Sequence, residues 1–246
     1  MTETRALFEI SGTDADHFLQ GLATNDVARL ADGLVYSAIL TPQGKYLADF
    51  FLARRGDGII LDVAEEIAQS LAMRLNMYKL RADVKITPLA LHVHRGTGEV
   101  PEDGFADPRD PSLGWRAYRD TPQEDAGIDW DALRVAACVP ETGIELTSDS
   151  YILEAGFERL HGVDFRKGCY VGQEVTARMK HKTELRKGLA KVKVEGAAPV
   201  GTEITRDGRV VGTLFTQSGG AGIAYLRFDR TGVDMVAGDA KVSWAP

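Results

Sequence analysis

Cysteine is scarce: Cys138 and Cys169 are the only two in 246 residues. Two thiols can neither build a disulfide framework nor supply the four ligands an iron–sulfur cluster usually takes. Histidine is nearly as rare, with five in the chain. The one close pair, His92-Val93-His94, has no evident third ligand, so it reads as a surface pair rather than a metal site. The common catalytic signatures are missing too: no GxGxxG after a strand, no GxxxxGK followed by Ser or Thr, no GxSxG, no HExxH and no CxxC. The longest uncharged run, Val210 to Leu226, contains four glycines besides Thr, Gln and Ser, which rules it out as a spanning helix. The opening MTETRALFEI lacks the features of a signal or transit peptide. A net charge of −7 gives no reason to expect a general nucleic-acid or anionic-membrane binder. On these grounds the chain is expected to be a soluble, cytoplasmic protein of a reducing compartment.

What is present is 44% hydrophobic and 26% charged residues, enough apolar material for one large domain or two unequal ones. Charge is uneven. Thr97 to Asp149 holds 13 acidic and 4 basic residues, whereas Arg166 to Lys193 holds 9 basic and 2 acidic. The acidic stretch reads as solvated surface. The basic one could attract an anionic ligand. Residues 188–246 contain 10 of the 26 glycines and alternate apolar with polar residues in LAKVKVE, RVVGTLF, GIAYLRFD and AKVSWAP. That pattern predicts a small antiparallel barrel or sandwich, with a boundary near Arg186 dividing 1–186 from 187–246.

Before the boundary both periodicities occur. Strands are expected at Leu7–Ile10, Val35–Leu40, Tyr46–Arg54, Gly58–Val63, Val84–Pro88 and Leu89–His94. Thr41-Pro42-Gln43-Gly44 suits a bulged hairpin turn. Thr13 is a candidate cap for a helix through His17, Phe18 and Leu22. Further helices are expected at Glu65–Leu80, Trp130–Cys138 and Gly168–Met179. Antiparallel hairpins with helices between them make an α+β fold, with no βαβ series.

Cys138, in the apolar run Val135–Val139, reads as a small buried hydrophobe. Cys169 sits in Arg166-Lys167-Gly168-Cys169-Tyr170-Val171-Gly172-Gln173-Glu174, ahead of a helical run. Cations and a helix start both favour a thiolate, and the two glycines leave the backbone open to close approach. A reactive thiol and a cysteine packed under a glycine-rich turn are both compatible with these residues.

KGCYVGQE (Lys167–Glu174) resembles the signature of the YgfZ family, folate-binding proteins of iron–sulfur cluster assembly related to the glycine-cleavage aminomethyltransferase. FLQGLATNDV (Phe18–Val27), TPQGKYLADF (Thr41–Phe50), YKLRADVKI (Tyr78–Ile86), Asp107-Pro108-Arg109 and EAGFERLHGVDF (Glu154–Phe165) follow in family order. GTLFTQSGGAGIAYLR (Gly212–Arg227) resembles the family's C-terminal barrel segment. The resemblance implies an α+β folate-binding region around a central channel, then a small β-barrel. It also implies that Glu154 holds the pterin, a task suited to a carboxylate facing two parallel N–H donors. Asp49 matches one of the adjacent acids by which aminomethyltransferases act and is expected to touch the folate, but Ala48 stands where the other would be, which puts aminomethyl transfer in doubt. The aminomethyltransferases in turn lack the Lys-Gly-Cys signature.

The resemblance therefore implies a tetrahydrofolate-binding accessory factor that assembles or repairs [4Fe–4S] clusters in client enzymes, radical tRNA-modifying enzymes among them. In it Cys169 is the working thiol and Lys167 sustains the thiolate, while Gln173 and Glu174 order the helix. The partners implied are folate and iron–sulfur client or assembly proteins. The alternative is a folate-dependent one-carbon transferase or demethylase with Asp49 as acid/base. A direct tRNA-binding face is disfavoured because Tyr170 is the only aromatic near the basic run. Arg178, Lys180 and Lys182 are candidates for the anionic glutamate tail of folate.

Overall fold

The structure is a computed structural model and describes residues 4–181 and 185–245. It forms two compact units, Met1–Ile128 with Phe157–Ala177, and Asp129–Gly156 with Arg178–Pro246.

The first unit is built on a five-stranded antiparallel sheet. Its strands are β1 (Arg5–Ser11), β2 (Val35–Leu40), β3 (Tyr46–Arg55), β4 (Gly58–Ala64) and β5 (Lys85–Pro88), in the order β2-β3-β4-β1-β5. Every residue of β2 and β4 is buried, as expected where both faces of a strand are covered. The apolar cluster on one face joins Ile10, Ile39, Phe50, Leu52 and Leu61 to α1 (Ala15–Gln20) and to Ala68, Leu71 and Leu75 of α2 (Glu65–Tyr78). The expected hairpin bulge is present. Gly44 lies at φ +74°, Gly44 N donates to Thr41 O and Thr41 N to Lys45 O, and the register shifts between Ile39 and Leu40.

A second, three-stranded sheet has the order β6 (His92–Gly96), β8 (Trp115–Arg119), β7 (Gly104–Ala106). Arg116 of β8 bonds Asp62 of β4 at 3.1 Å, and Arg5 of β1 bonds the same carboxylate at 2.6 Å. Burial opposes the charge on Asp62, but the two guanidiniums outweigh it and hold its pKa below the ordinary carboxylate range.

The second unit carries α3 (Trp130–Ala137) and a closed six-stranded antiparallel barrel. The barrel strands are β9 (Lys187–Glu195), β10 (Thr202–Arg206), β11 (Arg209–Ser218), β12 (Ala221–Arg227), β13 (Met235–Ala237) and β14 (Ala240–Ser243), in the order β10-β11-β12-β9-β14-β13. Closure leaves no sheet edge. Val192, Val194, Ile204, Leu214, Leu226 and Val242 fill the interior. Buried Arg134 of α3 ties 129–156 to this barrel: Nη2 donates to Thr216 Oγ1 at 3.0 Å and Nη1 to Glu145 Oε2 at 3.2 Å. The barrel thus begins where a boundary near Arg186 was expected, but 129–156 groups with it through a buried polar network that has no sequence periodicity.

Five local expectations are corrected. Thr13 does not cap α1; its N and Oγ1 both donate to Asp83 Oδ2. The strand expected at Leu89–His94 is displaced to His92–Gly96. His94 is buried, with Nε2 2.7 Å from Thr121 O, so His92 and His94 are not a matched surface pair. Cys138 is half-buried rather than buried, at φ +49° in the left-handed C-cap of α3. The helix expected over Gly168–Met179 is α4 (Gln173–His181), because Gly172 at φ +85° cannot lie inside a right-handed helix.

Candidate functional site

Lys167, Tyr170, Val171 and Gly172 each have a task that their surroundings show. Lys167 is buried, and its Nζ donates to Gln20 O at 2.6 Å and to Ala23 O. It thereby satisfies carbonyls at the C-terminal end of α1, where the helix dipole also favours a cation. Burial lowers its pKa to about 8, against the opposing pull of Asp26 and Asp164, so it remains largely charged at neutral pH. The ammonium expected to sustain the thiolate is thus engaged by two backbone carbonyls. Tyr170 is buried, with Lys167 Nζ 5.0 Å from its ring centroid. Val171 packs on the apolar core.

Gly172 abuts the β2–β3 hairpin turn. A Cβ there would lie 2.6 Å from Thr41 O and 2.9 Å from Leu40 Cβ, and a Cβ on Gly44 would lie 2.8 Å from Val175 Cβ. Two glycines in left-handed conformations therefore let the turn and the start of α4 touch backbone to backbone. Gln173 and Glu174 open α4, where an acid suits the helix N-terminus.

Gly168 and Cys169 are exposed. A Cβ on Gly168 would meet nothing within 4 Å. The segment's internal packing therefore leaves a thiol and an uncovered backbone facing outward. Cys169 lies four residues before α4, not at its first turn. Its exposure comes from the loop, and alkylation follows from that: at neutral pH iodoacetamide should label Cys169 well before half-buried Cys138. Mass mapping that shows equal labelling, or Cys138 first, would contradict this.

Asp49 occupies the opposite side of β3 from Ala48, which belongs to the apolar cluster. It is buried, and both carboxylate oxygens accept phenolic hydrogens, Oδ1 from Tyr46 at 2.6 Å and Oδ2 from Tyr36 at 2.9 Å. Burial and the adjacent Asp49 push the Tyr36 pKa well above the phenol range, so Tyr36 stays a donor. Arg109 holds Asp107 through two bonds of 3.0 and 2.8 Å, and its guanidinium carbon lies 4.6 Å from the Phe51 ring centroid and 5.3 Å from that of Tyr36. Sequence reasoning missed this tyrosine–aspartate–arginine arrangement, although Tyr46-Leu47-Ala48-Asp49 was legible as a pair three residues apart. Tyr36 also lines a cleft of about 470 Å³ with Asn25, Arg29, Pro108 and His161.

The second unit holds Glu154 and Arg178. Glu154 is nine-tenths buried at its side chain, and Oε2 accepts from Tyr225 OH at 2.6 Å with Lys187 Nζ at 3.8 Å. Burial, then Glu154, raise the Tyr225 pKa above the phenol range. Oε1 takes no hydrogen bond from the described residues. Arg178 is exposed on α4, as is Lys180; Lys182 lies outside the described residues. Of the expected site residues, Cys169, Lys167 and Asp49 share the first unit, while Glu154 and Arg178 lie in the second.

Comparison with known proteins places this geometry in a family. Residues 186–246 match the family model described as CAF17, C-terminal beta-barrel domain. Over all but a few residues, the fold resembles the glycine cleavage system aminomethyltransferase T of Bartonella henselae. The TM-score is 0.76, at 16% identity over 97% of this chain and 81% of that one. The resemblance is one of fold, and it bears out the α+β aminomethyltransferase-like architecture ending in a barrel. The iron–sulfur cluster assembly factor IBA57 homolog of Mycosarcoma maydis is 33% identical over 75% of this chain, which spans 54% of that protein's length. The mouse IBA57 protein is 29% identical over 91% of this chain and 75% of its own length. The human protein is 30% identical over 90% of this chain and 75% of its own length. All three are named mitochondrial, which overturns the expectation of a cytoplasmic protein; few cysteines, a modest net charge and the make-up of ten N-terminal residues do not define a compartment. Among the described residues no helix is long and apolar enough to cross a membrane. With 30% identity to the human protein over 90% of this chain and 75% of that protein's length, the protein belongs to the IBA57 family of iron–sulfur cluster assembly factors.

Proposed function

We propose that this chain assists assembly or repair of [4Fe–4S] clusters in client enzymes, with the Cys169 thiolate as its working group and tetrahydrofolate as a bound cofactor. The observation that carries the reading is the position of Cys169, exposed on a loop whose Lys167, Tyr170 and Gly172 are all used internally. The names of the relatives support iron–sulfur chemistry. One thiolate supplies one of the roughly four ligands a cluster takes, so the remainder must come from a client or assembly protein. The cluster is then cargo held between two proteins. Clients would include the radical enzymes that modify tRNA, as the likeness to YgfZ proteins implies.

The folate part rests on Glu154. A buried carboxylate with Tyr225 on one oxygen, and no described donor on the other, fits the paired N–H edge of a pterin. Tetrahydrofolate, when bound, supplies a one-carbon acceptor and a reducing ring. Arg178, exposed and cationic, would meet its anionic tail. Asp49 is a positioning group for Tyr36 and Tyr46 in this reading, not an acid or base, since phenols occupy both its oxygens.

Glu154→Gln should weaken tetrahydrofolate by about 2–3 kcal/mol, roughly a hundredfold, because one acceptor becomes an NH₂ facing a donor. Titration calorimetry checks this, and an unchanged dissociation constant would remove the pterin from Glu154. Purified protein given tetrahydrofolate and an aminomethyl donor should bind without turnover. Sustained turnover would establish the one-carbon transferase instead.

A further inference from the structure

The C-terminal end of α2 carries an apolar stripe that the fold does not use. Its inner face buries Ala68, Leu71 and Leu75. On the outside Met73 is 57% exposed and Met77 71%, one turn apart, and Leu80 just beyond the helix is 87% exposed. The other large apolar side chains comparably exposed among the described residues are valines scattered elsewhere.

Leu80 adds an independent observation. It sits at φ +46°, at the position after the C-cap Lys79, where helices favour glycine or asparagine because a Cβ is strained. A strained leucine with its side chain in water contributes nothing to this fold. A leucine there makes sense if something else covers it.

The surrounding charge says what kind of thing. Residues 73–85 hold four cations, Arg74, Lys79, Arg81 and Lys85, and one acid, Asp83, which is occupied by Thr13 N and Oγ1. Arg74, Arg81 and Lys85 come within salt-bridge distance of no acid among the described residues, although Lys85 acts on Asp83 from further off. Asp14 reaches the same end of the segment, its Oδ2 accepting from Asp83 N at 2.8 Å, yet residues 73–85 still carry more cations than acids on a chain whose net charge is −7. A second copy docked about a two-fold axis would bring like charges together. The stripe is one turn of helix wide and lacks the aromatics of an interfacial membrane helix.

We propose that the end of α2 docks an acidic amphipathic helix of a partner protein, its apolar face on Met73, Met77 and Leu80 and its carboxylates on Arg74, Arg81 and Lys85. Methionines suit such a surface because the unbranched thioether adapts to its partner. Helix on helix is the packing that a stripe at this spacing fits.

The test uses the full chain and a fluorescein-labelled designed helix of about five turns, with leucine on one face and glutamate elsewhere, followed by fluorescence anisotropy. Saturable binding is expected, weakened by added salt and at least about tenfold by Met73→Ser with Met77→Ser; a twin with lysine for glutamate should not bind. Since both methionines are exposed, the double variant should melt with the parent. Leu80→Gly should lower peptide affinity while raising Tm by roughly 2 °C, through relief of the strained position. No saturable binding, equal binding of the two peptides, or affinity untouched by the double variant would overturn the proposal. So would binding of phosphatidylserine vesicles through the same residues, or a dimer abolished by the double variant, since each assigns the stripe to another occupant.

Discussion

Gly172→Ala should destabilise the protein by about 3 kcal/mol, lowering Tm by roughly 10 °C for a chain of this size. Two costs add. A φ of +85° costs a non-glycine residue about 1–2 kcal/mol. The new Cβ would then sit 2.6 Å from Thr41 O and 2.9 Å from Leu40 Cβ, and forcing apart a packed contact costs about 1–3 kcal/mol. Neither neighbour is the mobile end of a side chain, so the turn or α4 must move. Gly168→Ala is the control. Its Cβ meets nothing within 4 Å, so its effect should stay within about 0.5 kcal/mol. Differential scanning calorimetry of both variants separates a loop held by packing from one glycine-rich for another reason. Equal melting of Gly172→Ala and the parent would show that the turn and loop do not meet as described.

The same contrast explains how much could be read in advance. The five-stranded sheet, α2 and most of the barrel were legible because each carries a period of its own. Tyr46–Arg54 and Glu65–Leu80 bury faces that the alternation and the helical spacing announce. Thr13 misled because a hydroxyl three residues before an acid looks like a cap, whereas Asp83, seventy residues away, takes both its donors. Strand β10, TEITR, has Ile204 as its only apolar residue, and β13 is three residues long, so neither shows an alternation. The helix start was misplaced because glycine signals permission for a left-handed turn, not its presence.

For the candidate site, residue types were legible and their tasks were not. Lys167 was noticed as a cation beside a thiol; its carbonyl partners at Gln20 and Ala23 come from the far end of the chain. Asp49 was noticed as an acid on a strand, but Tyr36 reaches it only through the β2–β3 register, in which Ala38 lies opposite Asp49. The two glycines of the Lys-Gly-Cys segment looked equivalent. In the fold one is sterically required and the other is not.

In the proposed function Cys169 is spared by the fold and serves the chemistry. Serine keeps the size and the loop but removes the soft thiolate that iron prefers. Being exposed, position 169 should tolerate the change within about 0.5 kcal/mol of stability. The most direct measurement is the activity of iron–sulfur enzymes in cells whose only copy of this protein carries Cys169→Ser, with Tm and tetrahydrofolate affinity of the purified variant measured alongside. The account predicts that enzyme activity falls to the level seen without the protein, while melting and folate affinity match the parent. Full activity supported by the serine variant would contradict it.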